Sequence, residues 1–519
     1  MLNRLNLCLT PTAAFTFTDQ SRLKPAIDSG NGAFVVGSIV NTLNKILLIS
    51  RKSGSRAWEH LLRDRLSDAG YDVGVELTDA VELEGPALDW ALGLFRREPS
   101  LAAPMPPLQS RAGSDADLVI DLTGAAPPGA TPTLTFALCG FASLAEGFGA
   151  MLGGDPPLPE LTALLNGVPV GRAAPMLGDR VWLARMANDV LAALVSFAAS
   201  VVAAQQNGSA QPVVTAPAKA ARSSLIRAYP PVLAAGIVGR ALDRLGWRRA
   251  RTWHVGYRKI GSVCVADTGR LDGEPFTILE DDGKRFYADP FVIERNGKYY
   301  LFVEEFPWST KKGVIAVCEF DAQGHCERPR VVLEEAHHLS YPQVFAAEDM
   351  IYMIPESSGG NELVLYRAKS FPDEWERDAV LIAGANLNDA TLLVRDGRYW
   401  IVATSCLSGG SASDTMVVYG APSLRGPWKP HRTNPILIDR SGARPGGAFI
   451  SRAGRLTLPI QDGTEGYGGG LGLRELLTLD DENVVWDAVS PIREGTAWPT
   501  RRIHTLNRAG PFEVIDGLL

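Results

Sequence analysis

Tyr287-Ala288-Asp289-Pro290, continuing through Phe291-Val292-Ile293-Glu294-Arg295-Asn296-Gly297-Lys298-Tyr299-Tyr300-Leu301-Phe302-Val303-Glu304-Glu305, reads as strand, tight turn, strand. Asn296-Gly297 marks the turn, because both central residues of a type I′ turn need φ > 0. With that turn Arg295 faces Lys298, and counting back along the ladder sets Asp289 opposite Glu304. Two carboxylates across a ladder repel. Such a pair points to protonation, sugar binding or a metal; the plain alternative is a solvated strand end.

The same texture recurs down the chain. Leu339 to Glu356 turns at Glu348-Asp349, Asn388 to Ser405 at Asp396-Gly397, Ala443 to Asp462 at Ala453-Gly454, and Arg502 to Gly517 near Ala509-Gly510. Taking Asp289, Gln343, Asp389, Arg444 and His504 as anchors, the steps are 54, 46, 55 and 60 residues. Units of this length, each with about four strands, are the sequence signature of a propeller. Five units predict an all-β five-bladed β-propeller over residues 250–519, with His254 to Asp267 supplying a strand that closes the ring. In each blade the second strand runs back beside the first. The polar ends therefore gather at one mouth: Asp289 with Glu304, Gln343 near Glu356, Asp389 near Thr404, Arg444 near Asp462, and His504 near Asp516.

The 519 residues exceed what one ordinary core needs, and the first half differs in texture. Residues 1–44 show little periodicity and are expected to be poorly structured. Over 45–205, Ile46–Ile49, Tyr71–Leu77 and Asp117–Gly124 read as strands alternating with helices at Trp58–Ala69 and Leu88–Phe95, which predicts an α/β layer with a parallel sheet. Gly140–Gly154 has no phosphate-loop spacing and reads as a loop. Val190–Ala204 is too short to span a bilayer and reads as a packed helix, so no transmembrane segment is expected. Residues 206–249 read as a linker with a short helix from Pro231 to Leu245. Net charge is −7 with no basic run, which argues against a nucleic-acid partner. Six scattered cysteines without a CxxC pair fit a reducing, cytoplasmic setting, and neither a metal nor a cofactor is expected.

Two resemblances follow from these residues. The opening strand, the Trp58 helix, the Asp117–Gly124 strand and Gly140–Gly154 resemble the formyltransferase fold, implying a Rossmann-type α/β domain. Those enzymes use an Asn-His-Asp set. Here the only histidine before residue 250 is His60, so the resemblance implies fold alone. Tyr287–Phe291, Lys298–Phe302, Gly313–Val317, His338–Pro342, Tyr352–Glu356 and His504–Asn507 resemble the propeller of family-43 glycoside hydrolases. More closely, they resemble the N-terminal propeller of the glucosamine inositolphosphorylceramide transferase family, whose bacterial relatives join it to a formyltransferase-like half. Plant-type members carry a separate C-terminal glycosyltransferase domain beyond the stretch that matches. Family-43 enzymes place a base in blade one, an Asp that tunes pKa in blade two and a Glu acid in blade three. Asp289 matches the base, Gln343 stands in the second place and Asp389 in the third, with Glu304 and Glu356 as alternative carboxylates.

The resulting expectation is a carbohydrate-active protein of envelope polysaccharide or glycolipid metabolism. Asp289, Glu356 and Asp389 are the catalytic candidates; Glu304, Gln343, Arg444, Asp462 and His504 are the candidates for binding a glycan or glycolipid. Each also has a structural reading: Asp389 as a turn former after Asn388, Arg444 as the internal partner of Asp462, His504 as a satisfied core histidine, and Trp308, Trp400 and Tyr467 as packing aromatics rather than sugar platforms. His337-His338 reads as a loop. A non-catalytic glycan-binding or scaffold protein is the alternative, favoured by Gln343 where an acid is expected. N-acyl or formyl transfer to an amino sugar by the first half is a third.

Overall fold

The fold was described on a computed structural model at residues 43–80, 85–94, 100–111, 115–124, 129–154, 157–207, 223–245 and 252–519. The expectations for residues 1–42, for residue 95 at the end of the second helix, and for 208–222 and 246–249 of the linker lie outside these.

The first half is a mixed α/β layer. Lys45–Arg51 lies between Asp72–Thr78 and Leu118–Asp121, followed by Thr133–Leu138, Leu161–Leu165 and Val168–Ala173. The first four strands in this order are parallel and the last two antiparallel. Alternation anticipates the strands up to residue 121; those after Thr123 are not foreseen, because their apolar runs are short, broken by threonine in Thr133–Leu138 and Leu161–Leu165 and by Pro169 and Gly171 in Val168–Ala173. Gly140–Gly154 is not a loop throughout: Ser143 caps a helix at Leu144–Leu152. Its glycines serve packing. A Cβ at Gly147 would sit 2.7 Å from Leu138 Cβ, and one at Gly149 would overlap the Ser223 carbonyl.

Among the described residues, two helices are long and apolar enough to cross a membrane by length and composition. Leu183–Gln206 has 78% of its apolar window buried, so it is a core helix here, whereas Leu225–Arg244 has 17% buried. The latter begins six residues before the expected Pro231 and includes Pro230 and Pro231. Its Leu225, Ala228, Tyr229 and Leu233 join the core of the α/β half.

The second half is a five-bladed β-propeller. Its inner hairpins are Arg285–Arg295 with Lys298–Pro307, Ser340–Ala347 with Met350–Glu356, Leu387–Arg395 with Arg398–Ser405, Ile450–Arg452 with Arg455–Asp462, and Ile503–Ala509 with Phe512–Leu518. The turns form where the sequence placed them. Both central residues have positive φ at Asn296-Gly297 (54°, 76°), Glu348-Asp349 (49°, 61°), Asp396-Gly397 (51°, 73°) and Ala453-Gly454 (48°, 77°), as type I′ hairpins require. The ring closes as expected: Trp253–Lys259 pairs antiparallel with Phe512–Leu518 and becomes the third strand of blade five.

One register differs from the expectation. Arg295 does face Lys298, but the ladder slips between Phe291 and Ala288, so Glu304 faces Ala288 and not Asp289. Pro290 has no N–H for the ladder, and Asp289 turns to φ 49°, producing a bulge. Blades two and three repeat it, with Tyr341-Pro342 (Tyr341 φ 45°) and Asp389-Ala390 (Asp389 φ 49°) standing outside the ladder. Backbone strain of this kind costs about 1–3 kcal/mol per residue and concentrates at functional sites.

Candidate functional site

The bulges lift Asp289 and Asp389 off their ladders and let them meet groups from other blades. Around Asp289, one oxygen accepts the Tyr341 N–H at 3.2 Å and the other lies 3.3 Å from His504 Nε2. His504 Nδ1 lies 2.6 Å from Asp516 Oδ1, which also accepts the Thr505 N–H at 2.9 Å and the Thr505 hydroxyl at 2.7 Å. The second Asp516 oxygen accepts the Asp289 N–H at 2.8 Å. Asp289, His504 and Asp516 thus form one chain of contacts, all three buried.

A second group lies around Asp389. Arg444 forks onto it, Nε to Oδ2 at 2.6 Å and Nη2 to Oδ1 at 3.1 Å. Gln461 Nε2 donates to the same Oδ2 at 2.5 Å. Glu356 Oε2 accepts the Asp389 N–H at 3.3 Å and lies 3.4 Å from Arg444 Nη2, while its Oε1 accepts the Ser358 hydroxyl at 2.9 Å. Tyr467 covers the site. Its ring centroid is 5.3 Å from the Arg444 guanidinium carbon and 5.5 Å from the His504 ring, and 47% of the residue stays exposed. Trp253, from the closing strand, stacks on His504 at 3.9 Å.

This geometry separates the protonation states. Burial raises Asp289 to about 7, with the His504 imidazolium opposing and Asp516 adding to the rise. Burial and the Asp389 charge push Glu356 up to about 8. Glu304, buried and facing the other acids, is raised well above the ordinary carboxyl range. Asp389 goes the other way: burial opposes its charge, but Arg444 outweighs burial and holds it below the usual range. Burial disfavours the His504 cation, yet Asp516 and Asp289 outweigh it, so its pKa is raised. The mouth therefore holds an arginine-neutralised carboxylate beside a protonated carboxyl, and a second carboxyl that titrates near neutrality.

Asp289, His504 and Asp516 also offer three ligand atoms within 4.8 Å of one another. Because both His504 nitrogens face carboxylates, a proton on the ring and a bound cation would compete for the same oxygens.

The remaining candidates separate cleanly. Gln343 is not turned to the mouth: its amide donates to the Leu392 carbonyl at 3.2 Å and accepts the Leu392 N–H at 2.6 Å, pinning blade two to blade three. Asp462 is not the partner of Arg444; it accepts the Thr464 N–H at 2.9 Å and pairs in its strand with Gly470. Glu304 lies 3.4 Å from His338 Nε2, so His338 is more than a loop residue: its other ring nitrogen accepts the Gly313 N–H at 2.9 Å. Trp308 packs against Phe286 and Phe306, and Trp400 is buried beneath Arg398. Tyr341, Gln461 and Ser413 were missed. Tyr341-Pro342 repeats Asp289-Pro290 at the same place in its unit, a signal that the choice of Gln343 as anchor passed over. Its hydroxyl accepts the Gly447 N–H at 2.6 Å and donates to the Gly447 carbonyl at 3.0 Å, tying blade two to blade four across the channel.

The model of a family described as glucosamine inositolphosphorylceramide transferase 1, N-terminal, matches residues 280–510. A protein of that name from Oryza sativa subsp. japonica is 36% identical over 246 residues, which are 45% of this chain and 33% of the rice protein. One from Arabidopsis thaliana is 34% identical over 201 residues, 38% of this chain and 26% of its own length. The chain therefore spans about a quarter to a third of the length of these curated relatives. Among solved structures, a thermostable family-43 glycoside hydrolase is similar at 16% identity over 43% of this chain and 78% of that one, TM-score 0.32. Zg3597, a family 117 glycoside hydrolase of Zobellia galactanivorans, is similar at 14% identity over 50% and 80%, TM-score 0.34. The family match lies within the propeller and includes Asp289, Glu356, Asp389, Arg444 and His504.

Proposed function

We propose that this protein handles a glycan or glycolipid at the mouth of its propeller and cleaves or transfers a glycosyl unit there. The observation that carries this reading is the set of carboxyls whose surroundings push their protonation apart. Glu356, raised to about 8, carries a proton at neutral pH and serves as the acid toward the leaving glycosidic oxygen. Asp289, near 7, takes a proton from the attacking water or sugar hydroxyl as its oxygen bonds to the anomeric carbon. Asp389 stays ionised against Arg444 and orients Glu356 through the main chain. The name of the matched relatives, glucosamine inositolphosphorylceramide transferase 1, pairs a sugar with a lipid and agrees in substrate class.

A second reading, glycan binding without turnover, is favoured by one observation: Asp389 is fully engaged by Arg444 and Gln461. The formyltransferase-like reading of the first half, with N-acyl transfer to an amino sugar, rests on its parallel strands and on a cavity of about 430 Å³ beside the strand ends at Arg51, Asp121 and Leu138. A cytoplasmic location accords with the free thiols of Cys139, Cys264, Cys318, Cys326 and Cys406.

Incubation of the full chain with reducing-end-labelled glycans and glycosylated sphingolipids, read by mass spectrometry, tests the main reading. Asp289→Asn is expected to lower turnover at least about 100-fold, the size of a general acid–base contribution, while keeping the melting temperature near the parent's. Saturable binding with no product from the parent protein would leave the binding reading in its place.

A further inference from the structure

The mouth of the propeller is not bounded by the propeller alone. Helix Leu183–Gln206 of the α/β half lies against the loop between the second and third strands of blade three, and between them runs a cleft of about 400 Å³. Its walls include Arg185, Asn188 and Asp189 from the helix, Ser411 and Ser413 from the loop, and Tyr467 from blade four. Two of these residues also belong to the mouth. Ser413 accepts the Arg444 Nη1–H at 3.0 Å, and the Tyr467 ring lies over Arg444. The cleft is therefore continuous with the carboxyl cluster.

The two halves are fixed together around it. Met176 N–H donates to Asp414 at 2.8 Å, and Arg180 donates to the Thr464 carbonyl at 2.7 Å. Arg440 donates to the Pro159 carbonyl at 2.7 Å, and Ala174 exchanges main-chain hydrogen bonds with Ile438 and Arg440. These contacts hold the helix wall in register with the blade wall.

The lining suits a neutral polyhydroxylated ring. Tyr467 offers an aromatic face that is 47% exposed, and Asn188, whose Oδ1 accepts the Leu101 N–H at 2.7 Å, adds a short polar side chain together with Ser411 and Ser413. Charge inside the cleft is balanced: Asp179 is paired with Arg240 at 2.8 Å, Asp189 accepts the Gly178 N–H at 2.8 Å, and Arg185 adds one positive charge. The volume is in the range of pockets that bury small ligands. We infer that this cleft is a second saccharide subsite, built jointly by the α/β half and the propeller, which holds the sugar unit next to the one at Asp289 and Glu356. The inference rests on the reading of the mouth as a saccharide site.

The test measures binding of three monosaccharide–disaccharide pairs to the full chain by calorimetry: glucose with cellobiose, N-acetylglucosamine with chitobiose, and galactose with β-1,3-galactobiose. At least one disaccharide is expected to bind tenfold or more tightly than its monosaccharide. Ala412→Trp fills the cleft from a lining residue whose main-chain carbonyl accepts the Thr404 hydroxyl at 2.6 Å, a bond the substitution leaves in place. It is expected to remove that preference, leave the monosaccharide constant unchanged and keep the melting temperature. Asn188→Ala is expected to reduce the preference at least threefold, and does not depend on a bulky side chain being accommodated. If the disaccharide preference survives both variants, or if monosaccharides bind without any such preference, the second subsite is overturned and the mouth reading stands. If none of the six sugars binds, both are overturned.

Discussion

Glu356 and Asp389 lie side by side on one arginine, yet they ionise on opposite sides of neutrality. Arg444 gives Asp389 two direct hydrogen bonds at 2.6 and 3.1 Å and reaches Glu356 only at 3.4 Å. In a buried setting that difference decides which carboxyl bears the charge. Glu356 rises from 4.5 to about 8 and Asp289 from 3.8 to about 7 on folding, so the folded chain holds more protons than the unfolded chain between those limits. Their contribution is fully present below the unfolded values and is lost as pH rises through the folded ones. Raised His504 acts in the same direction, from its ordinary 6.5 upward. Asp389, held low, is lost only under acid. Thermal melts of the parent protein are expected to fall from pH 5 to pH 9, and Glu356→Gln, which cannot titrate, to show a shallower fall. Parallel curves would show that Glu356 is not the group responsible. Much of this cluster was legible beforehand, because repeating units bring strand ends together whatever lies between them. The pairings were not. The gathering of polar strand ends at one mouth sets Arg444 near Asp462, whereas Gln461 donates its N–H to the Arg444 carbonyl and the Arg444 side chain reaches across to blade three.

At the scale of elements, turns were readable and bulges were not. Asn-Gly, Asp-Gly and Ala-Gly pairs announce positive φ locally, and the hairpins formed there. A bulge is a compromise between a ladder and a residue that cannot join it. Asp289-Pro290 and Tyr341-Pro342 show the cause in their prolines, but Asp389-Ala390 bulges without one. Close packing is hidden in the same way. The glycines of Gly140–Gly154 suggested a loop, yet they let helix Leu144–Leu152 approach the start of the helix at Leu225. Gly149 faces the Ser223 carbonyl with no room for a Cβ. Since alanine favours a helix over glycine by about 1 kcal/mol, Gly149→Ala would stabilise an isolated helix. Here it is expected to destabilise the protein by about 1–3 kcal/mol or more, as overpacking does, measured as the shift in urea midpoint. A midpoint at or above the parent's would show that the two helices separate freely.

The whole molecule depends on how the ring is shut. Trp253–Lys259 and Phe512–Leu518 stand more than 250 residues apart and pair over seven positions, from Phe512 with Lys259 to Leu518 with Trp253. Closing so long a loop carries an entropic cost that grows slowly with its length, and the buried closure must offset it. This pairing also completes the site. Asp516, on Phe512–Leu518, holds both His504 and the Asp289 main chain, while Trp253, on the closing strand, stacks on His504. Closure of the ring therefore also sets the contacts among Asp289, His504 and Asp516. Val255 pairs with Asp516 in this seam and is fully buried. Val255→Asp places an unpaired charge there, with an expected loss of about 3–5 kcal/mol, the range for an uncompensated buried charge. Val394→Asp makes the same change on an inner strand where the side chain is 50% exposed, and is expected to shift stability by less than about 0.5 kcal/mol. Because the seam carries Asp516, Val255→Asp is also expected to abolish saccharide binding at temperatures where the α/β half, followed by helical circular dichroism, remains folded. Retained binding with an open fifth blade would mean that Asp289 and Glu356 assemble without the seam, and that the closing strands support the ring but not the site.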